Sequence, residues 1–510
     1  MDFLHCNNSD VAAFFAGKTV LITGGTGFIG KLVIEKLLRA CPRIRKILLI
    51  VREKRGVSVH QRLQKLLAEE VFAGVLQRRP EVRSLVEAVV GDTEKPSLGL
   101  SDEDICRIES EVNIVVHSAA TVKFNEPLAR AVRANVEATG ELIALAHRIK
   151  NLCSFVHVST AYVNVTVHEE IVEERVYPWD LKAEDLLKLV KCLPAEALEA
   201  ATPHLLGGYP NTYTYTKRFA EELVLDSGLP ASIVRPSIVI ATAKEPFPGW
   251  IDNVNGPTGF ILAMGTGCLT ALHLDVDKKF DLVPADIVVN CIIVAAFKRA
   301  TLDAGSEKSP VPILHACLGR SGSISSQQFY DMSLSLLEEY PLKYCLRLPI
   351  PKICNTMWEY RLRLFLFHRL PMEMADFALC RLGGNKMPVR KLYARLISGL
   401  EVMSFFFKHD WDFKLTNSTQ MHQSLSEVDQ YLFPVTTPDD FQWSDFIKVY
   451  LFSIKYFLVK EDLTTIEAGR AWRKKLVAIS YGSTALTGFL VAKAAASIFE
   501  MTTGLDVPML

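Results

Sequence analysis

The sequence lacks an excess of charge of either sign, because lysine plus arginine and aspartate plus glutamate both number 57. Without an overall basic field, no nucleic-acid partner is expected. The eleven cysteines include no CxxC pair and have no histidine at zinc-ligand spacing. We therefore predict no metal site and read the cysteines as reduced, mostly buried thiols.

Known address signals are also lacking. Residues 1–10 do not show the basic and then apolar pattern of a secretory leader. The last four residues, 507–510, match neither the peroxisomal nor the ER-retention signal. These absences predict that the bulk of the protein faces the cytosol and that any organelle is reached through a membrane-associated tail.

What the chain does contain is a strand, a glycine turn and a helix near its start. An apolar run at residues 18–22 leads into a glycine-rich segment and then into a helical pattern. Gly24, Gly27 and Gly30 stand three residues apart in this segment. Because they have no side chains, a pyrophosphate can approach the backbone amides and the positive end of the helix. The predicted cofactor-binding residues of this turn are Thr23, Gly24, Gly27, Phe28, Ile29 and Gly30.

A second strand follows the helix at residues 47–51, and its end indicates which dinucleotide is bound. In NAD enzymes this strand ends in an acidic residue that binds the ribose 2′-hydroxyl. Here Arg52 stands at that place, beside Lys54 and Arg55. A guanidinium grips a 2′-phosphate through two parallel hydrogen bonds, so the sequence predicts NADPH as the cofactor. A solvated basic turn is the alternative.

Two further apolar runs, around residues 88–92 and 114–120, read as buried parallel strands. At their carboxyl ends we assign Asp92 to the adenine amino group and Ala119 to the space for the adenosine. His117 and His157 are expected to be satisfied core histidines.

Another strand, residues 154–158, ends in Ser159 and Thr160, and a Tyr-x-x-x-Lys motif follows at Tyr213 and Lys217. Residues i and i+4 share a helix face, so both side chains can reach one ligand. A nearby ammonium favours the phenolate and is expected to lower the pKa of the tyrosine. Tyr213 is therefore the predicted general acid.

With these motifs the chain resembles the extended short-chain dehydrogenase/reductases, and specifically the eukaryotic fatty acyl-CoA reductases. The resemblance covers most of the chain. Its motifs are residues 23–30, 156–162, 209–217 and 234–237, and the more discriminating segments 248–253 and 256–259.

The resemblance implies roles for individual residues. Tyr213 donates a proton, Lys217 holds the nicotinamide ribose, and Thr160 polarises the carbonyl, with Ser159 as the alternative hydroxyl. Pro236 places backbone near the nicotinamide. The implied reaction is NADPH-dependent reduction of a long-chain fatty acyl-CoA to a primary alcohol through an aldehyde.

The expected fold class is α/β, a Rossmann-like doubly wound parallel sheet followed by a mainly helical C-terminal domain and a membrane-associated tail helix. We place the nucleotide-binding domain at residues 1–340, the helical domain at 341–460, and a basic linker with a membrane anchor at 461–510. Residues 168–208 are either a substrate cover or a solvated loop.

Two C-terminal segments suggest contact with membrane lipid. Residues 342–370 mix cations with aromatic and aliphatic residues, which suits a lipid-facing surface, an acyl tunnel or an ordinary helical core. Residues 476–499 carry Lys493 as their one charge and follow four cations. We therefore expect an anchor that spans the membrane or inserts deeply into it and keeps the enzyme domains in the cytosol, with an interfacial or packed helix as the alternative. The resemblance implies a peroxisomal or ER membrane.

Two other functions stay open from the sequence. One is a sterol or sugar-nucleotide dehydrogenase of the same fold, and the other is a non-catalytic NADPH-binding membrane scaffold. Arg52 argues against the first, and Thr160, Tyr213 and Lys217 argue against the second. The sequence does not predict acyl chain length, saturation preference or oligomeric state.

Overall fold

A computed structural model of the chain describes residues 8–167, 171–302, 310–381, 397, 399, 405–438 and 440–503. Its centre is a seven-stranded parallel sheet in the order β3-β2-β1-β4-β5-β7-β12. These strands are β1 Thr19–Thr23, β2 Lys46–Val51, β3 Val86–Val90, β4 Ile114–His117, β5 Ser154–Val158, β7 Ala231–Pro236 and β12 Ile313–Ala316.

Eight shorter strands form pairs outside this sheet, β10 with β13, β11 with β8, β14 with β9, and β15 with β6. Their bounds are β6 Ile171–Val172, β8 Ile238–Ile240, β9 Ala271–Leu272, β10 Lys279–Phe280, β11 Leu282–Pro284, β13 Ile324–Ser325, β14 Lys352–Ile353 and β15 Asp412–Phe413.

The first ten helices of the described chain are α1 Asp10–Phe14, α2 Phe28–Ala40, α3 Val59–Leu67, α4 Glu70–Arg78, α5 Asp102–Glu111, α6 Leu128–Val132, α7 Ala138–Arg148, α8 Ala183–Cys192, α9 Ala195–Leu206 and α10 Thr212–Asp226. The next ten are α11 Pro257–Gly265, α12 Ala285–Leu302, α13 Gly319–Gly322, α14 Ser326–Glu339, α15 Met357–Leu364, α16 Leu370–Arg381, α17 Thr416–Gln423, α18 Glu427–Leu432, α19 Trp443–Ser453 and α20 Ile466–Thr503.

Two kinds of helical turn interrupt or extend these helices. The π-helical turns are Arg133–Glu137, Phe365–Arg369 and Ile454–Val459. The 3₁₀ turns are Pro80–Leu85, Pro96–Gly99, Ala161–Asn164 and Leu463–Thr465.

The sheet is buried because helices cover both of its faces. Helix α12 packs on α2, β5 and β7, whereas α10 packs on α6, α7 and the π-helical turn between them. All five residues of β1 and all five of β5 are buried, as expected for parallel strands covered on both sides. The predicted Rossmann-like α/β fold is therefore confirmed.

The chain forms two compact units that alternate along the sequence. The first comprises residues 1–256, 275–328 and 398–450, and the second comprises 257–274, 329–397 and 451–510. The second unit contains α11, α14, α15, α16 and α20, so it is mainly helical. The predicted domain boundaries near residues 340 and 460 stay a prediction.

The stretch predicted to cover the substrate contains the short strand β6 and, from Ala183 on, the helices α8 and α9. Residues 168–170 lie outside the described part. Leu186 of α8 and Leu198 of α9 are buried in one cluster with Tyr215 and Phe219 of α10. The stretch therefore supports the helix that carries Tyr213 and Lys217.

The expected membrane-spanning tail is not found. Residues 466–503 form α20, but among the described residues no helix combines the length and the apolar character needed to cross a bilayer. Ser480, Gly482, Ser483, Thr484 and Thr487 lower the mean hydropathy of the expected span.

Candidate cofactor and catalytic site

The glycine turn lies between β1 and the start of α2, where backbone segments approach closely. A Cβ atom on Gly24 would lie 2.7 Å from the backbone nitrogen of Ala119, and one on Gly30 would lie 2.3 Å from the carbonyl oxygen of Gly24. Gly24 also has a φ of +72°, which favours glycine. The Gly27 N–H donates to the Gly24 carbonyl at 2.8 Å. The turn fits a dinucleotide pyrophosphate at the helix N-terminus.

Thr23 faces the core and supports the turn from behind. Its hydroxyl lies 2.7 Å from His117 Nδ1, and its oxygen accepts the Ala119 N–H at 3.3 Å. His117 Nε2 lies 3.0 Å from the Thr139 hydroxyl. Because Thr139 donates to the Asn135 carbonyl, His117 carries its proton on Nε2.

His117 is thus a satisfied core histidine, as predicted, and burial lowers its pKa to about 3. His157 pairs beside it in register on β5 and is fully buried. However, neither of its ring nitrogens has a hydrogen-bond partner among the described residues. His157 is therefore a core residue, as expected, whose ring nitrogens receive no hydrogen bond from the described residues.

The other two residues predicted in this turn differ in environment. Phe28 stacks on Trp250, with ring centroids 5.2 Å apart and an interplanar angle of 17°. Ile29 is half-buried in the first turn of α2. Because Phe28 is the first residue of α2, this stacking holds the segment around Trp250 against the start of that helix, next to the glycine turn.

A cavity of about 450 Å³ extends from the glycine turn along the ends of β2, β3 and β4. Its lining includes the predicted residues Arg52, Asp92 and Ala119. Arg52 Nη1 lies 3.2 Å from Glu94 and 3.8 Å from Asp92. The adenosine residues predicted from the strand ends therefore do border one cavity.

Arg62 is a second guanidinium at this cavity, and no pattern in the sequence pointed to it. It lies in α3, donates to the Arg52 carbonyl, and reaches the Thr26 hydroxyl at 3.5 Å. Burial, followed by the charge of Arg52, lowers the pKa of Arg62. Two neighbouring guanidinium groups favour an anion between them.

The helix α10 carries Tyr213 and Lys217. It begins after Asn211, which has an extended backbone and caps the helix. The Asn211 side-chain oxygen accepts the Thr214 N–H at 2.9 Å. Lys217 is buried, and its ammonium donates to the Val158 carbonyl at 2.7 Å. Since Val158 immediately precedes Ser159 and Thr160, this bond attaches the helix to the strand end that bears the predicted hydroxyls.

Burial sets the pKa values of both motif residues. It lowers the pKa of Lys217 to about 8, against the opposing effect of Glu221. It raises the pKa of Tyr213, so the expected lowering of the tyrosine pKa by Lys217 is wrong for this geometry. A protonated phenol is a hydrogen-bond donor, which suits a general acid.

A fully buried ion pair holds the same helix to the sheet. Arg235 of β7 donates to both carboxylate oxygens of Glu221 at 2.9 and 2.7 Å, and the two side chains are 1% and 2% exposed. Glu221 lies one turn after Lys217. Removing one partner would leave a buried, uncompensated charge, which costs about 3–5 kcal/mol.

The two candidate hydroxyls have different partners. Thr160 is 5% exposed, its hydroxyl donates to the Pro236 carbonyl at 3.4 Å, and it accepts the Tyr162 N–H at 3.3 Å. Ser159 is 3% exposed, and its hydroxyl has no partner among the described residues. Thr160, Ser159 and Pro236 thus meet where β5 and β7 end, but their roles stay predictions.

Asn135 is a further polar residue that the sequence analysis missed. It lies in the π-helical turn and donates to the Thr216 hydroxyl at 2.9 Å, while its own oxygen accepts the Thr121 N–H at 2.9 Å. This links α10 to the loop after β4. A π-helical turn leaves little trace in a sequence, so the hydrophobic pattern could not locate Asn135.

Taken together, the site has a pyrophosphate turn, a basic adenosine end and proton-donating hydroxyls at the strand ends. This arrangement can hold a nicotinamide cofactor and stabilise negative charge on a carbonyl oxygen beside it.

Two family models with the description Male sterility protein match the chain, at residues 22–292 and 367–461. A fatty acyl-CoA reductase of Drosophila melanogaster named wat is 33% identical over 97% of this chain and 94% of its own. Fatty acyl-CoA reductase 2 of Bos taurus is 34% identical over 95% of this chain and 93% of its own.

Solved structures share the fold. The terminal R domain of the myxalamid PKS-NRPS biosynthetic pathway aligns with a TM-score of 0.58 and 19% identity, over 87% of this chain and 92% of that domain. The reductase domain of a nonribosomal peptide synthetase from Mycobacterium tuberculosis aligns with a TM-score of 0.56 and 19% identity, over 89% and 96%. These likenesses support the Rossmann-like architecture.

Replacing Gly30 with alanine tests the pyrophosphate turn. The new methyl would collide with the Gly24 carbonyl and displace the turn, and such overpacking costs about 1–3 kcal/mol. If this cost falls on cofactor binding, the Kd for a reduced nicotinamide cofactor should rise about tenfold or more. Fluorescence titration measures this affinity. Gly74→Ala is the matched control, since a Cβ there meets nothing within 4 Å. Equal affinities in the two variants would contradict the assignment.

Proposed function

The chain belongs to the fatty acyl-CoA reductase family, and from this premise we propose that it reduces a long-chain fatty acyl-CoA to a primary fatty alcohol, using NADPH and releasing coenzyme A. It is an oxidoreductase. The observation that carries the proposal is the bond from Lys217 to the Val158 carbonyl, because it attaches the Tyr213 helix to the strand end that bears Thr160.

The chain's own side chains would act on the thioester oxygen. The bound nicotinamide supplies one hydride in each of two reductions. In the first, Tyr213 donates a hydrogen bond to the oxygen as negative charge develops on it, and the Thr160 hydroxyl does the same after turning away from the Pro236 carbonyl. Collapse of the resulting tetrahedral oxyanion breaks the carbon–sulfur bond and leaves an aldehyde, and the thiolate of coenzyme A departs and takes up a proton from solvent. In the second, the aldehyde oxygen takes a proton from Tyr213 and becomes the alcohol.

Several features favour NADPH over NADH. Arg52, Lys54 and Arg62 all border the adenosine end of the cavity, and their positive charge suits a 2′-phosphate. Arg52 stands where NAD enzymes carry a carboxylate. Glu94 also lies there, but it is paired with Arg52 and with Arg130.

Turnover with palmitoyl-CoA tests the reaction. We expect wild-type protein to consume two NADPH for each hexadecanol formed, because each reduction takes one hydride. Tyr213→Phe, which lacks the proton donor, should lose about a hundredfold or more of this activity. Absorbance at the NADPH band and mass analysis of the product give the readouts. No turnover by the wild type over a panel of acyl-CoA lengths, with cofactor binding intact, would refute the proposal.

Cofactor preference has its own test. Arg52→Ala and Arg62→Ala should each raise the KM for NADPH about tenfold or more, because each removes a charge-assisted hydrogen bond to the 2′-phosphate. The KM for NADH should hardly change. Arg148→Ala, at an exposed guanidinium in α7, is the control. A parallel rise for both cofactors would argue against 2′-phosphate recognition.

We further propose that the protein associates with membrane lipid, with its enzymatic part in the cytosol, at the peroxisomal or ER membrane. Exposed apolar side chains support association, since Trp358 and Phe377 are 68% and 63% exposed and Tyr481 is 75% exposed. Lys474 and Lys475 are exposed and precede Tyr481 in the same helix, α20. Cations beside apolar side chains suit an anionic lipid surface.

Flotation of the full-length protein with vesicles tests this association. The wild type should float with vesicles that contain phosphatidylserine, and replacing Lys474 and Lys475 with glutamate should reduce the floating fraction severalfold, since each cation contributes about 1 kcal/mol at such a surface. The same change at exposed Lys150 and Lys191 serves as the control. Equal flotation of both variants would contradict the proposed contact.

A further inference from the structure

An aromatic side chain that the reaction described so far does not use lies directly against Tyr213. The Phe124 ring meets the Tyr213 ring edge-on, with centroids 5.9 Å apart and an interplanar angle of 81°. Phe124 is half-buried, so part of its ring stays open beside the phenol. An open apolar surface next to a proton donor is suited to the carbon chain of a substrate.

The backbone of Phe124 is attached to the catalytic helix. Thr212, the first residue of α10, donates to the Phe124 carbonyl at 3.4 Å and to the Glu126 carbonyl at 3.0 Å. The ring and the phenol are therefore held in one local structure. A substrate group that lies on Phe124 would have a defined position relative to Tyr213.

Phe406, from a distant part of the sequence, is a buried ring that packs near Phe124 and supports it. Its ring lies 6.2 Å from Phe124 and 4.7 Å from Tyr162, and it is 3% exposed. The segment is held in place because Asp412 and Phe413 of β15 pair with Ile171 and Val172 of β6. Phe124 and Phe406 together are called the phenyl wall below.

The surroundings of Phe406 are apolar. Phe406 belongs to a buried cluster with Tyr162, Trp411 and Phe413 in which every described member is hydrophobic or a cysteine. Such a surface suits a hydrocarbon and not the phosphates of coenzyme A. Val122 and Lys123 border the cofactor cavity, and Phe124 follows them directly in the chain, so the ring lies between that cavity and Tyr213.

On the basis of the proposed function, we propose that the phenyl wall receives the first carbons of the acyl chain, next to the thioester carbonyl. Phe124 then determines how much room the chain has at the carbon beside the carbonyl. A straight chain lies along the ring, and a methyl branch at that carbon collides with it. The wall would thus select unbranched acyl groups.

A change of preference tests this role. Phe124→Ala should lower kcat/KM for palmitoyl-CoA about tenfold, because the chain loses its apolar contact, a loss of about 1–3 kcal/mol. The same variant should lose much less with 2-methylpalmitoyl-CoA, so that the branched-to-straight ratio of kcat/KM rises about tenfold. Phe124→Leu keeps apolar bulk and should give an intermediate ratio. This variant tests the role even if the alanine variant does not fold. A merely structural defect would lower both rates equally.

Phe14→Ala is the matched control, since Phe14 is also half-buried and contacts two rings, Phe15 and Phe297. Its ratio should equal that of the wild type, and NADPH affinity should be unchanged in all variants. Wild-type turnover with an unaltered ratio in both Phe124 variants would overturn the phenyl wall alone. Absence of wild-type turnover would overturn the proposed function and the wall with it.

Discussion

The fully buried pair of Arg235 and Glu221 is the contact on which the geometry of the site depends. It joins the sheet to the helix that carries both motif residues, and it does so one turn beyond Lys217. A bidentate guanidinium–carboxylate pair has a defined geometry. Because both charges are desolvated, neither can leave the pair without a large cost, so the helix has one stable position against the strand ends.

Lys217 is positioned by the same arrangement. Its burial would favour the neutral amine, while the Glu221 carboxylate opposes that effect and the Val158 carbonyl accepts from the ammonium. Asn135 adds a polar link between the helix and the loop after β4. The strand ends, the loop and the helix are thus joined by hydrogen bonds whose donors and acceptors lie largely inside the protein, where such bonds are strong.

Local patterns in the sequence were sufficient for much of this site. The bounds predicted for β5 agree with the structure at residues 154–158, and the glycine turn lies where its spacing indicated. Arg62 was missed because nothing in the chain marks which of the cations after β2 turns toward the cavity. The Arg235 pair had a readable signal, since an arginine inside an apolar strand requires a buried carboxylate partner.

The short pairing of β15 with β6 has a consequence for how the protein is made. Strand β6 precedes Tyr213 in the chain, whereas β15 and Phe406 follow it by a long interval. A ribosome therefore produces the residues of the glycine turn and of the Tyr213 helix well before Phe406. During synthesis, β6 has no partner strand until residues 412 and 413 have been added, so the contacts that hold Phe406 form late.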